Sequence, residues 1–209
     1  MLFIFYQKEY FMEPVKILSD EHRIIEVVLD CLDRLADAAD STGRIDKQDA
    51  LDIVDFIRNF ADRCHHGKEE DHLFAALTEK GFPSESGPVG VMLHEHELGR
   101  AFVKGMAENI EKAALGEKEA ITAFTVGARD YIILLRNHIH KEDNILFPIA
   151  SRILTPEDKE KILQKFETAE KEHMGEGTHG KYLKLAESLA RKYGVKLESS
   201  LVHSCACGH

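Results

Sequence analysis

The chain has 209 residues, enough for one domain with a substantial core. Its net charge of −10 with 31% charged residues describes an acidic protein, and no basic patch or aromatic-interleaved basic run offers a groove for nucleic acid. No apolar run approaches the roughly 20 residues needed to span a bilayer, and the opening MLFIFYQKEYF lacks the basic start and cleavage site of a signal peptide, so a cytoplasmic protein without membrane attachment is expected.

Apolar residues recur at helical spacing and β-branched alternation is missing, so the chain reads as all-α. Residues 1–13 form a leader ahead of the fold, and Met1 and Met12 both remain open as the start. The first helix runs from about Pro14 to Asp40 and ends near Ser41-Thr42-Gly43. The second runs from about Asp46 to Lys80 and stops at Gly81-Phe82-Pro83. After the linker GFPSESGP, Pro88 opens a third helix reaching about Leu115, and a fourth spans about Lys118 to Ile153. Short links between long helices imply antiparallel neighbours, hence an up-down-up-down four-helix bundle over residues 14–153. Residues 154–196 form an extension of two additional C-terminal helices packed on the bundle. The first starts at Thr155-Pro156, and the break GEGT separates it from a second starting near His179.

Residues 197–209 are a tail ending in HSCACGH, where His203, Cys205, Cys207 and His209 alternate. That group suits a soft metal or a redox-active thiol pair, and equally a tail with no fixed role. With Cys31 and Cys64 the chain has four cysteines, too few and too unevenly placed for a disulfide framework. Cys31 and Cys64 fall in helical patterns and read as small buried hydrophobes.

The chain repeats itself. CHHGKEEDHLF at residues 64–74 and NHIHKEDNILF at residues 137–147 pair His65 with His138, Glu69 with Glu142, Glu70 with Asp143, Leu73 with Leu146 and Phe74 with Phe147, at an offset of 73. Upstream, Glu21-His22 and Glu95-His96 recur at an offset of 74. Helical spacing places all four histidines on apolar stripes: Leu18, His22, Ile25, Leu29 and Leu32; Val54, Ile57, Ala61, His65, Glu69 and Leu73; Val89, Leu93, His96, Val103 and Ile110; Ile121, Phe124, Ala128, Tyr131, Leu135, His138, Glu142, Ile145 and Ile149. His94 and His140 lie about 200° round their helices from an inward histidine and face outward. His66 and His72, each about 100° from a ligand candidate, are left outside the set.

A lone inward histidine is usually a satisfied core residue, and a lone H-x-x-x-E is often a surface pair. Two carboxylates and four imidazoles converging in one core are another matter. An unpaired carboxylate there costs several kcal/mol or takes up a proton, and a metal removes the penalty by binding all of the groups. His and Glu at i and i+4 lie one turn apart on one face, close enough to hold one ion or for the carboxylate to bridge two. Imidazole suits iron, zinc, copper or nickel, and carboxylates add manganese.

The motifs DEHR, H-x-x-x-E-E-x-x-L-F, EHELGR and H-x-x-x-E-D-x-x-L-F-P resemble the hemerythrin-like, or HHE cation-binding, family over residues 14–153. The resemblance implies a four-helix bundle around two non-haem iron ions, with manganese or zinc as alternatives. By it, His22, His65, His96 and His138 are the histidine ligands, and Glu69 and Glu142 the bridging carboxylates. Oxygen-carrying members place an aspartate five residues after the last histidine, where this chain has Asp143; Glu142 is preferred because it mirrors Glu69 and stays on the stripe. The oxygen carriers' second histidine on the third helix is missing, since Met92 and Arg100 stand four residues either side of His96. One iron is then short of a histidine, and either His179 or an exogenous ligand fills the place. The implied function is binding or sensing of dioxygen or nitric oxide. The alternative is a di-iron enzyme or iron-handling protein that turns over peroxide or nitric oxide, oxidises ferrous iron or repairs iron–sulfur centres.

Overall fold

The computed structural model describes residues 13–169 and 178–197, and every regular element among them is a helix. The leader up to residue 12, the glycine-rich break and the cysteine-containing tail lie outside the described residues. Six helices follow in order: α1 Pro14–Thr42, α2 over residues 47–79, α3 Gly87–Ala114, α4 over residues 118–153, α5 Pro156–Ala169 and α6 Thr178–Tyr193. None of them is long and apolar enough to cross a membrane.

The helix boundaries have local causes. Pro14 opens α1, where its missing N–H has no intrahelical partner to lose. Gly43 closes it in the left-handed region at φ 72°, donating its N–H to the Ala39 carbonyl at 2.9 Å. Asp46 caps α2 by accepting the Asp49 N–H at 3.1 Å. At the start of α5 the Asp158 N–H donates to Thr155 Oγ1 at 3.2 Å, while the Thr155 N–H donates to Asp158 Oδ2 at 3.0 Å.

Two helices depart from ideal winding. Ile57–His66 and Glu69–Phe74 in α2, and Glu142–Leu146 in α4, follow wide π-helical turns with i→i+5 hydrogen bonding. The sequence shows why they are needed. Ile57, Ala61, His65, Glu69, Leu73 and Leu77 are all buried at steps of four. In an α-helix each step of four overshoots a full turn by about 40°, so such a row would wind off the core. Wider turns cancel that drift. In α4 the wide turn shifts the phase: Leu146 and Ala150 are buried while Ile145 is 52% exposed, so the regular-helix stripe expected through Ile145 ends at Glu142.

The core falls into two apolar blocks with a polar layer between them. One block holds Leu32, Phe60, Val103, Phe124 and Tyr131; the other holds Leu18, Phe74, Val89, Leu146 and Phe147. Along each of α1 to α4 the residues between the blocks are the histidines and acids singled out by the repeat. The extension helices close the sides. α6 adds Tyr182, Leu183, Ala186 and Leu189 to the first block, packing on α1 and α2, and α5 adds Ile162 and Phe166 to the second. A buried leucine, isoleucine or phenylalanine among them contributes about 1.5–3 kcal/mol, so the extension stabilises the walls of the polar layer directly.

Candidate metal centre

Every buried polar or charged residue described, apart from Asp49 and Thr125, belongs to this layer. The layer contains two groups of ligand atoms, each lying within 4.8 Å of one another: His22, His65, Glu69 and Glu142 in one, His66, Glu69, His96 and His138 in the other. Glu69 is common to both. Its Oε1 is 3.4 Å from His65 Nε2 and its Oε2 is 3.6 Å from His96 Nε2. Glu142 spans the groups too, with Oε2 at 3.3 Å from His22 Nε2 and 3.2 Å from His138 Nε2.

All five imidazoles are turned the same way. Nδ1 of His22 meets Asp143 Oδ1 at 2.9 Å, His65 meets Glu21 Oε2 at 2.9 Å, and His66 meets Asp62 Oδ1 at 3.3 Å. His96 meets Glu70 Oε1 at 2.6 Å and His138 meets Glu95 Oε2 at 3.0 Å. Burial alone raises each of these acids, but neighbouring cations and the imidazoles themselves bring them below the usual carboxylate range, Asp62 to about 2. An ionised carboxylate can only accept, so each Nδ1 carries the proton and each Nε2 points inward as the nitrogen that could bind a metal. A carboxylate behind the imidazole is how metal-bound histidines are commonly held and made more basic.

Several inward atoms lack a hydrogen-bond partner. His22 Nε2 and all four carboxylate oxygens of Glu69 and Glu142 are buried without a hydrogen bond, a costly arrangement that calls for a ligand. Protons partly fill the layer. Burial pushes His65 and His66 down to about 4, and burial together with His66 pushes His96 to about 3, so these three are neutral. Burial also opposes a proton on His138, but Glu142 and Glu95 hold it up at about 9, and its Nε2–H then donates to His96 Nε2 at 3.0 Å. His22 is raised in the same way by Asp143 and Glu142. Burial and the negative charges of Glu142 and Glu21 raise Glu69 well above the usual range, favouring its protonated form, while His138 and His22 favour the ionised form of Glu142 against its burial. Five neutral or displaceable imidazole donors and two shared carboxylates fit a pair of divalent transition-metal ions.

The model of the hemerythrin HHE cation-binding domain matches residues 13–150. The chain belongs to this family. Two curated relatives are similar over 92 residues at 37% identity: the proteins named iron-sulfur cluster repair protein YtfE from Yersinia pestis (strain Pestoides F) and from Yersinia pseudotuberculosis serotype O:1b (strain IP 31758). The match takes in 42% of this chain and 41% of each relative, so the chain spans about two-fifths of their length. No solved structure matches significantly.

Within this hemerythrin HHE domain the structure brings together His22, His65, Glu69, His96, His138 and Glu142, all read from the sequence. Asp143 stands behind His22 as its hydrogen-bond acceptor, leaving Glu142 as the inward carboxylate of that pair. His179 is not brought to either group. Its Nε2 lies 3.6 Å from Glu21 Oε1 and its ring sits against Phe60, 5.2 Å between centroids. The histidine in the second group is His66, which sequence reasoning set aside. The physical reason is the wide turn over Ile57–His66: more residues per turn mean less rotation per residue, so His65 and His66 diverge less than in an α-helix and both reach the layer. His94 and His140 are exposed as expected. The five acids behind the imidazoles were also missed as a set, although the pairs Glu21/Glu95 and Glu70/Asp143 sit at the repeat offsets. A cavity of about 140 Å³, lined by Ile57, His66, His96, Val103, Tyr131 and Leu135 among others, borders the second group.

Proposed function

We propose that the chain is a non-haem di-iron protein that binds or senses dioxygen or nitric oxide at a His/Glu centre inside an up-down-up-down four-helix bundle formed by α1 to α4. The observation that carries this reading is the pair of ligand groups sharing Glu69, each imidazole turned Nε2-inward by its own carboxylate. His22 and His65 would hold one ion, His66, His96 and His138 the other, with Glu69 and Glu142 shared; His179 stands outside this set. The short links at 43–46, 80–86 and 115–117 support the antiparallel order. Iron follows from the family; manganese and zinc suit the same donors.

An iron pair so held supplies electrons and coordination positions to a small ligand. The chain's residues supply the rest. The group with two histidines is the less filled, which favours it as the place where an exogenous ligand enters. Phe147, stacked on His22 at 5.4 Å, and Phe74 close the apolar block beside the layer and keep bulk water from it. The cavity beside His66 and His96 borders the group with three histidines, so it would give a small molecule an approach to the layer from that side, between apolar residues and the charged Asp62, Glu95 and Arg100.

A second reading has its own observation. The curated relatives are named for iron-sulfur cluster repair, so this chain would handle iron or turn over peroxide or nitric oxide in the cytoplasm. Stopped-flow mixing of the anaerobically iron-loaded protein with dioxygen and with nitric oxide separates the two. A reversible one-to-one adduct supports binding or sensing. Multiple-turnover consumption of nitric oxide or peroxide, or release of ferrous iron to an acceptor, supports the second reading, and a loaded protein inert to all of them refutes both.

A further inference from the structure

Each of the five acids behind the imidazoles is itself gripped by a cation, and the grips repeat across the two halves of the chain. Lys68 Nζ lies 2.5 Å from Glu21 Oε1, and the other oxygen of Glu21 accepts from His65. Lys141 pairs with Glu95 Oε1, and the other oxygen of Glu95 accepts from His138. Lys68 and Lys141 are 73 residues apart, each three residues after the histidine it serves. Arg23 holds Asp143 behind His22, and Arg100 holds both Glu70 behind His96 and Asp62 behind His66. Even the arginines follow the repeat. Arg23 pairs with Glu26 and Arg100 with Glu97, and at the offset of 74 the two members have exchanged places while the contact persists.

Stability alone gives a poor account of the lysines. Lys68 is only 1% exposed, which costs several kcal/mol of desolvation and the freedom of a long side chain. Buried ion pairs commonly do no better than apolar residues of equal volume. What a lysine does here is electronic. A carboxylate with its full charge pulls on the Nδ1 proton and makes the imidazole a stronger donor at Nε2. An ammonium on the opposite oxygen draws that charge away and weakens the pull.

We infer that Lys68 and Lys141 are positioning residues that set, through Glu21 and Glu95, the donor strength of His65 and His138 and with it the reduction potential of the bound metal pair. The inference rests on the di-metal reading above. Removing either cation strengthens imidazole donation and takes a positive charge from beside the centre; both effects favour the oxidised state, so the potential falls. The two lysines are not equal. Lys68 is sealed from solvent, whereas the Lys141 side chain is 32% exposed and screened by water. Lys68 therefore acts more strongly.

The test uses the full chain with Lys68→Met, Lys141→Met and Lys141→Arg. Spectroelectrochemical titration of the iron-loaded proteins should show the potential lowered in both methionine variants, more in Lys68→Met, and restored in Lys141→Arg. Metal content should stay at the wild-type level. In the metal-free protein, NMR of the imidazole nitrogens should show the Nδ1–H of His65 shifted by Lys68→Met and that of His138 by Lys141→Met, each towards a stronger hydrogen bond. Potentials and ring shifts equal to wild type, with metal retained, overturn the inference. Should Lys68→Met not fold, Lys141→Met decides by the same criteria, its side chain being partly in solvent. A wild type that takes up no metal refutes the di-metal reading, and the ring shifts then still decide whether the lysines act on the imidazoles.

Discussion

Glu69 offers the sharpest separation of binding from folding. It is fully buried, neither of its oxygens has a hydrogen-bond partner, and its neighbours His65 and His96 are neutral, so no ionic attraction compensates. An unsatisfied buried polar group costs about 1–3 kcal/mol, and the carboxyl's raised proton affinity reports the same penalty. Glu69→Met keeps the volume and removes the polar atoms. In chelator-treated protein this substitution should stabilise the fold by about 2 kcal/mol, which in a chain of this length raises Tm by about 4–8 °C. In the presence of ferrous iron the order should invert, because the wild type gains stability from bound metal and the variant, lacking the shared carboxylate, does not. Urea and thermal unfolding with and without iron measure both arms. A metal-free Glu69→Met that is less stable than wild type would show that Glu69 is a structural residue and refute the reasoning.

The ligand assignment makes a paired prediction: His66→Ala should lower iron content from two towards one per chain, and His179→Ala should leave it at two, both read by metal analysis after anaerobic loading. The metal-free protein should be most stable near pH 6.5. His65 and His66 at about 4 and His96 at about 3 lie below the ordinary 6.5. The unfolded chain therefore takes up protons that the fold refuses, and stability falls from pH 6.5 towards 4 by up to about 1.4 kcal/mol per unit for each group. His138, raised to about 9, contributes stability that is complete below 6.5 and lost as the pH climbs through 9. Urea midpoints across that range check both flanks, and a flat profile contradicts the assignment of neutral and charged imidazoles. Iron affinity should rise with pH as protons on His22, His138 and Glu69 are displaced, measurable by competition with a chelator.

Much of the candidate centre could be read from periodicity because most of its residues obey it. His22 and His96 lie on regular α-helical stripes, and the repeat of H-x-x-x-E locates His65, Glu69, His138 and Glu142 without any structure. Two of the misses share one physical origin. An arithmetic of 100° per residue fails where the helix widens, so His66 is left out of the set and Ile145 is placed in the core, both at π-helical turns. The row of buried residues at steps of four from Ile57 to Leu77 was the available signal, since only a widened helix keeps such a row on one face. His179 is a different case. Its neighbourhood depends on how α6 docks on α1 and α2, a tertiary fact with no local signature, and docking puts it beside Glu21 instead of the ligand groups. The pairing of Glu21 with His65 and of Asp143 with His22 likewise joins separate helices, although the repeat offsets had already tied these acids to one another.

The central claim is that two metal ions share Glu69 and Glu142 within this bundle. Anaerobic titration of the chelator-treated protein with ferrous iron, followed by metal analysis and Mössbauer spectroscopy beside a His65→Ala/His138→Ala variant, tests it most directly. Two irons per chain in magnetically coupled, inequivalent environments, lost in the variant, is the result expected. A wild type that takes up no iron, or that holds iron unchanged when both histidines are removed, would contradict it.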